Sequence, residues 1–164
     1  MNTPSNSQGS VVINANVLIA TCSKEADRHS KAEDRLKHYG QQGWHLYAPG
    51  VIVAETLYML CGKYQNGLLT SSEHATATQT FQIYMGTINM APSGDGALIK
   101  RAEEIRSGYG CSRSADSIYL ALAEELLKSG PGELLTFDQD LQKQATKNCP
   151  DGCHSSSHLK AGGR

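Results

Sequence analysis

Four residues of this chain stand where chemistry is plausible and ordinary surface polarity is not. Asn14 closes the apolar start of VVINANVLIA, Glu55 lies within APGVIVAETLYML, Asp116 opens SRSADSIYLALAEEL, and Asp138 follows ELLTF. A buried, unpaired carboxylate is costly, and two carboxylates about 5 Å apart repel by roughly 3 kcal/mol at an effective dielectric near 20. A divalent cation removes that cost. Magnesium and manganese take oxygen ligands and keep several waters, so three carboxylates and one amide suit one or two such ions. Each residue also has a plainer reading. Asp116 reads as a first-turn acid favoured by the helix dipole, and Asp138 as a cap for a following helix. Glu55 reads as a carboxylate whose stem packs while its head reaches solvent, and Asn14 as a turn amide bonding its own backbone. Together the four are more informative than singly, because the elements around them bring them to one place.

Those elements alternate. Short apolar runs at 11–13, 45–48, 87–91 and 133–137 read as strands, and helical patterns fill the gaps. The first gap holds a short apolar turn and then an amphipathic stretch from His29 to Tyr39. The second holds a helix over 51–64 opening after Pro49, and another over 72–85 capped by Thr70, Ser71 or Ser72. Residues 95–108 carry Leu98, Ala102 and Ile105 at helical spacing, and residues 114–128 carry Ile118, Leu122 and Leu126. A short helix over 139–147 follows the last strand. Such alternation predicts an α/β fold of parallel strands joined by right-handed helical crossovers, with helices on both faces. Ligands of such sheets bind beyond the carboxyl ends of the strands, where the chain order reverses. Asn14 and Asp138 both follow a strand there.

The 164 residues, 17.7 kDa, suit one domain, expected over 11–147, between loose Ser, Asn and Gly-rich residues 1–10 and a Gly, Ser and His-rich tail over 148–164. Fifteen Lys and Arg against sixteen Asp and Glu leave a net charge of -1, which excludes a polycationic surface but permits a local basic groove. No run approaches the roughly 18 apolar residues of a membrane span, and the polar start lacks a secretory pattern, so a cytoplasmic location is expected. Five scattered cysteines argue against structural disulfides. In the tail, Cys149, Cys153, His154 and His158 have a zinc-like spacing without the two flanking elements a zinc unit needs. With Asn at 14 and at 16 no phosphoacceptor Asp follows the first strand, and no Gly-x-Gly-x-x-Gly does either, which sets aside receiver and dinucleotide-binding readings.

The motifs resemble those of PIN-domain ribonucleases of the VapC toxin type over residues 11–147. That family opens with a strand and Asp, a small residue, Asn and an apolar run, which NANVLIA matches except at its first position. Its second acid corresponds to Glu55, its third to Asp116 in a Ser-x-x-Asp helix start, and its fourth to Asp138 after Thr136 and Phe137. The resemblance implies a three-layer α/β/α fold with a central parallel sheet of four to five strands. It implies a magnesium- or manganese-dependent endoribonuclease leaving 5′-phosphate and 3′-hydroxyl ends. Asn14, Asp116 and Asp138 would hold metal, with Glu55 completing the ring directly or through water. Asn16 would hold the first loop in shape, Ser112 or Thr136 would orient a carboxylate or the water, and Asp140 would support the site. Expected partners are RNA, a cognate antitoxin and a second copy of the chain, with the apolar helix over 51–61 as a docking face and no membrane.

Lys24, Arg28, Arg101, Arg106 and Arg113 are candidates to ring the pocket and hold an RNA backbone, Arg113 foremost because it lies three residues before Asp116. His29 reads as a capping or hydrogen-bonding residue and Trp44 as core. Asn14 is the one departure from the pattern. An amide oxygen ligates magnesium neutrally, which should weaken metal binding and water activation. Two origins fit the sequence, an Asp to Asn replacement that silences a toxic nuclease and a natural loss of catalysis. A catalytically silent RNA- or protein-binding module is the alternative function.

Overall fold

The computed structural model describes residues 8–108 and 114–148, with the side chains of 114 and 146–148 excepted. In chain order the elements are β1 (Ser10–Ile13), α1 (Ala15–Cys22), α2 (His29–Gln41), β2 (His45–Ala48), α3 (Val51–Gln65), α4 (Ser71–Met85), β3 (Asn89–Met90), α5 (Asp95–Ser107), α6 (Ser114–Leu127), β4 (Gly132–Leu135) and α7 (Gln139–Asn148). The four strands form one parallel sheet in the order β3-β2-β1-β4. The chain builds outward from β1 through β2 to β3 and then returns to place β4 on the other side of β1. The reversal therefore lies between β1 and β4, whose carboxyl ends carry Asn14 and Thr136.

β1 is central and covered on both sides, which is why Val11, Val12 and Ile13 form an unbroken apolar run, all essentially inaccessible. α6 packs on β1 and β4 with α5 against it, and α1 packs with α2, α3 and α4, completing a three-layer α/β/α arrangement. Seven of the eight residues of α1 are buried, so a helix apolar on nearly every side sits within the core. Close packing also sets Gly9, where a Cβ would run into the Trp44 ring, and Trp44 stacks at a tilt on Tyr39 with centroids 5.4 Å apart. Among the described residues no helix is long and apolar enough to cross a membrane.

Two strands are shorter than the sequence predicts. β3 keeps only Asn89 and Met90 of the run over 87–91, at the sheet edge, where Thr87 and Ile88 instead close the end of α4 through Tyr84 O. β4 stops at Leu135 rather than 137, because Thr136 and Phe137 direct their polar groups to side chains instead of a neighbouring strand. Of the three capping candidates for α4, Thr70 is the cap. Its Oγ1 accepts the Glu73 N–H at 3.2 Å, and its own N–H donates to Glu73 Oε2 at 2.7 Å. These bonds hold the Glu73 carboxyl below its usual range.

Candidate active site

The end of β1 turns directly into α1, and the turn spends its polar groups locally. Asn14 is buried and caps α1, its Oδ1 accepting the Asn16 N–H at 3.1 Å. Its own N–H extends the ladder to Leu135 O at 3.0 Å, and its carbonyl accepts the Val17 N–H at 3.1 Å. The N–H groups of Asn16 and Val17 at the start of α1 are thus taken by Asn14 itself.

Asn16 ties the two central strand ends together. Its Nδ2 donates to Thr136 Oγ1 at 3.0 Å, and its Oδ1 accepts the Phe137 N–H at 3.1 Å. Thr136, 1% exposed, also accepts the Asp138 N–H on Oγ1 at 3.0 Å and the Gln142 side-chain amide on its carbonyl at 2.8 Å. Both the hydroxyl and the carbonyl of this buried threonine are engaged, which fixes the loop that presents Asp138. Asp138 itself is partly exposed and caps α7, its Oδ1 accepting the N–H groups of Asp140 at 2.8 Å and Leu141 at 3.1 Å. That oxygen already has two donors, so any further ligand must be met by the other. The Asp140 carboxylate is at the surface with Lys143 at 3.3 Å, and what it gives the site is its backbone N–H.

On the other side of Asn14, α3 and α6 face each other through Glu55 and Tyr119. The Tyr119 hydroxyl donates to Glu55 Oε2 at 2.6 Å and is also under the electrostatic influence of Asp116, one helical turn before it. Burial, and after it the bond to Glu55, push the phenol far above its ordinary range, so it remains a donor. Glu55 and Asp116 are both partly exposed, while Tyr119 is completely buried. Tyr119 was not among the residues singled out from sequence. The available signal was a hydroxyl three residues after Asp116, hence on the same helical face, in an otherwise apolar helix.

The start of α3 is held by a residue from α5. The Asp95 carboxylate accepts the N–H groups of Gly50 at 2.8 Å and Val51 at 3.2 Å, an N-terminal cap supplied across 45 and 44 residues of sequence. Glu55 lies one turn further along.

The Arg28 guanidinium lies over the Phe137 ring, 5.3 Å from its centroid, with the Glu25 carboxylate at 3.9 Å. Arg101 is paired with Glu124 at 2.6 and 2.9 Å and with Glu104 at 3.0 Å, and Arg106 with Glu103 at 2.6 and 2.9 Å. Lys24 follows the end of α1 opposite Asn14, about 12 Å away along an eight-residue helix. His29 bonds Thr21 O through Nδ1 at 3.0 Å. Ser112, Arg113 and the tail residues Cys149, Cys153, His154 and His158 lie outside the described residues.

The donors are all oxygen, the set that hard divalent cations take. Among the described residues no three His, Cys, Asp or Glu side chains form a ready metal-holding cluster. Magnesium does not require one, since it usually keeps several waters and meets one or two carboxylates plus substrate phosphate. The donor chemistry therefore fits such an ion and fits a closed zinc cage poorly.

Comparison with known proteins agrees with the fold. A family model described as PIN domain matches residues 11–147. No curated protein sequence matches the chain. Among solved structures, the "Crystal Structure of FitAcB from Neisseria gonorrhoeae" is similar with a TM-score of 0.54 and 15% sequence identity, over 82% of this chain and 92% of that one.

Proposed function

The chain belongs to the PIN-domain family, and from that premise we propose that it is a metal-dependent endoribonuclease of the toxin type, weakened by Asn14. The observation that carries this reading is the PIN-domain match over residues 11–147, supported by Asn14 and Asp138 following the adjacent strands β1 and β4. Glu55 on α3 accepts a hydrogen bond from Tyr119, one helical turn after Asp116 on α6. The substrate is RNA, cut to 5′-phosphate and 3′-hydroxyl ends.

Glu55, Asp116, Asp138 and the amide oxygen of Asn14 would hold magnesium or manganese. When bound, such an ion lowers the pKa of a water and neutralises charge on the phosphate. The protein's own groups do the rest. Asn16 and Thr136 fix the β1 and β4 ends relative to each other, and Asp95 fixes the start of α3. Arg28 is placed to meet a phosphate near Asp138, where a positive charge positions the backbone without reading sequence. The neutral Asn14 keeps the cap geometry of an aspartate but contributes no charge, which lowers the demand for a cation. Outward apolar residues on α3, among them Val53, Leu57 and Tyr58, are the surface proposed for an antitoxin or a second copy. A cytoplasmic setting goes with this reading.

The test is cleavage of end-labelled RNA by this chain and by Asn14→Asp, each with magnesium, manganese or a chelator. Metal-dependent cutting by the Asp form, with little by the Asn form, is the expected result. If neither form cuts and neither binds metal, the nuclease reading gives way to a silent PIN-fold binding module.

A further inference from the structure

Glu55 reaches the site on a long side chain from a helix surface that is partly exposed, so its carboxylate needs something to hold it. Among the described residues the hydrogen bond on that carboxylate comes from Tyr119, at 2.6 Å. Tyr119 is a fixed point, since its ring is wholly buried in the core beneath α6 and its side chain has only two main torsions. One oxygen of the Glu55 carboxylate is thereby tied to a rigid, buried phenol.

We propose that Tyr119 is a positioning residue, which sets the rotamer of Glu55 against Asn14 and Asp116 and so determines how well that carboxylate serves a divalent cation. The proposal rests on the nuclease reading above. A tyrosine that only filled the core would affect stability but would be indifferent to whether Glu55 is present.

The experiment uses the full chain carrying Asn14→Asp, with Tyr119→Phe and Glu55→Ala added singly and together. Manganese affinity is read by calorimetry, RNA cleavage by kcat and KM, and folding by melting temperature. Tyr119→Phe should weaken manganese binding by about fivefold, the size of one ordinary net hydrogen bond. It should lower kcat by about tenfold through misplacement of the carboxylate, with KM for RNA within about twofold. Once Glu55 is alanine, Tyr119→Phe should change neither quantity further. Unchanged manganese affinity in Tyr119→Phe, or an equal loss with and without Glu55, overturns the proposal while leaving the nuclease reading intact. If the Asn14→Asp parent neither binds manganese nor cuts RNA, the nuclease reading falls and the proposal falls with it. Should Tyr119→Phe fail to fold, Glu55→Asp shortens the acid by one methylene and withdraws it from the hydroxyl with the core untouched. Undiminished manganese affinity in that variant likewise overturns the proposal.

Discussion

The side chains of Asn16 and Thr136 meet at 3.0 Å across 120 residues of sequence, and through them the end of β1 is fastened to the end of β4. Both amide atoms of Asn16 are used, since Oδ1 takes the Phe137 N–H while Nδ2 reaches Thr136. Asn16→Ala leaves a backbone donor and a buried hydroxyl without these partners, at a cost of about 1–3 kcal/mol. Asn16→Asp keeps the acceptor for Phe137, and the Thr136 hydroxyl, already 3.5 Å from Asn16 Oδ1, is able to turn and donate to it. Urea midpoints should therefore rank the unsubstituted chain first, Asn16→Asp second and Asn16→Ala last. An Asn16→Ala protein as stable as the parent would mean the strand ends need no fastening.

Restoring charge at position 14 should make stability depend on metal. An aspartate caps α1 as well as asparagine does, so the helix start is preserved. The added charge would join the acids proposed to hold metal, and a bound cation would relieve the repulsion among them. With metal at about one hundred times its Kd, the bound state gains about 2.7 kcal/mol. For a domain of this size that raises the Tm by about 5–10 °C. Thermal melts with magnesium and with a chelator should separate clearly for Asn14→Asp and only slightly for the Asn14 chain. Coincident melts for Asn14→Asp would count against a metal site at these residues.

The strand pattern and the helical periodicities made the α/β fold legible before any coordinates, because central parallel strands such as Val11–Ile13 must be apolar on both sides. The early end of β4 was not legible. Thr136 and Phe137 continue the apolar run, and only the partnership with Asn16 shows why the ladder stops. Likewise the placements of Asn14 and Asp138 followed from the rule about strand ends, but the ties that hold Glu55 did not. Tyr119 and Asp95 act through contacts made 64 and about 45 residues away, and neither belongs to a motif with fixed spacing. The partners of the basic residues were hidden for a similar reason. Whether an arginine faces a pocket or a glutamate on the next helix is settled by packing of α5 on α6, which composition does not reveal.

Asp95 should matter more than its exposed surroundings suggest. It caps α3 from α5, so Asp95→Ala removes the acceptor for two N–H groups and the charge favoured at a helix start, a loss of about 1–2 kcal/mol. Because Glu55 is one turn beyond the capped residues, the same change should loosen manganese binding in the Asn14→Asp background. Gly50→Ala is the milder probe. Its Cβ would stand 3.1 Å from Asp95 Oδ2, so the carboxylate must shift slightly while remaining able to cap. Chemical denaturation and manganese titration on both variants should show the alanine at 95 weaker in each measurement. If Asp95→Ala changes neither, the α3 start is held by packing alone.

The two described cysteines should differ sharply in reactivity. Cys22, the last residue of α1, is buried, and removal from water pushes its thiol up to about 12, whereas Cys61 on α3 is exposed. At pH 8 only about one Cys22 in 10,000 is then a thiolate, the reactive form. Iodoacetamide followed by peptide mapping should label Cys61 readily and Cys22 only after unfolding. The same shift has a consequence for stability. Below pH 9.0 the thiol is neutral in both states. Above it the unfolded chain loses the proton first, so stability falls from pH 9.0 until the folded thiol ionises near 12, by up to about 1.4 kcal/mol per pH unit. Tyr84 and Tyr119, whose phenols are also pushed up by burial, add to the fall above pH 10.0. Cys22→Ala should therefore flatten the first part of the alkaline decline and leave the tyrosine part. An unaltered profile in that variant, or equal labelling of both thiols in the folded protein, would show that Cys22 is not shielded from water.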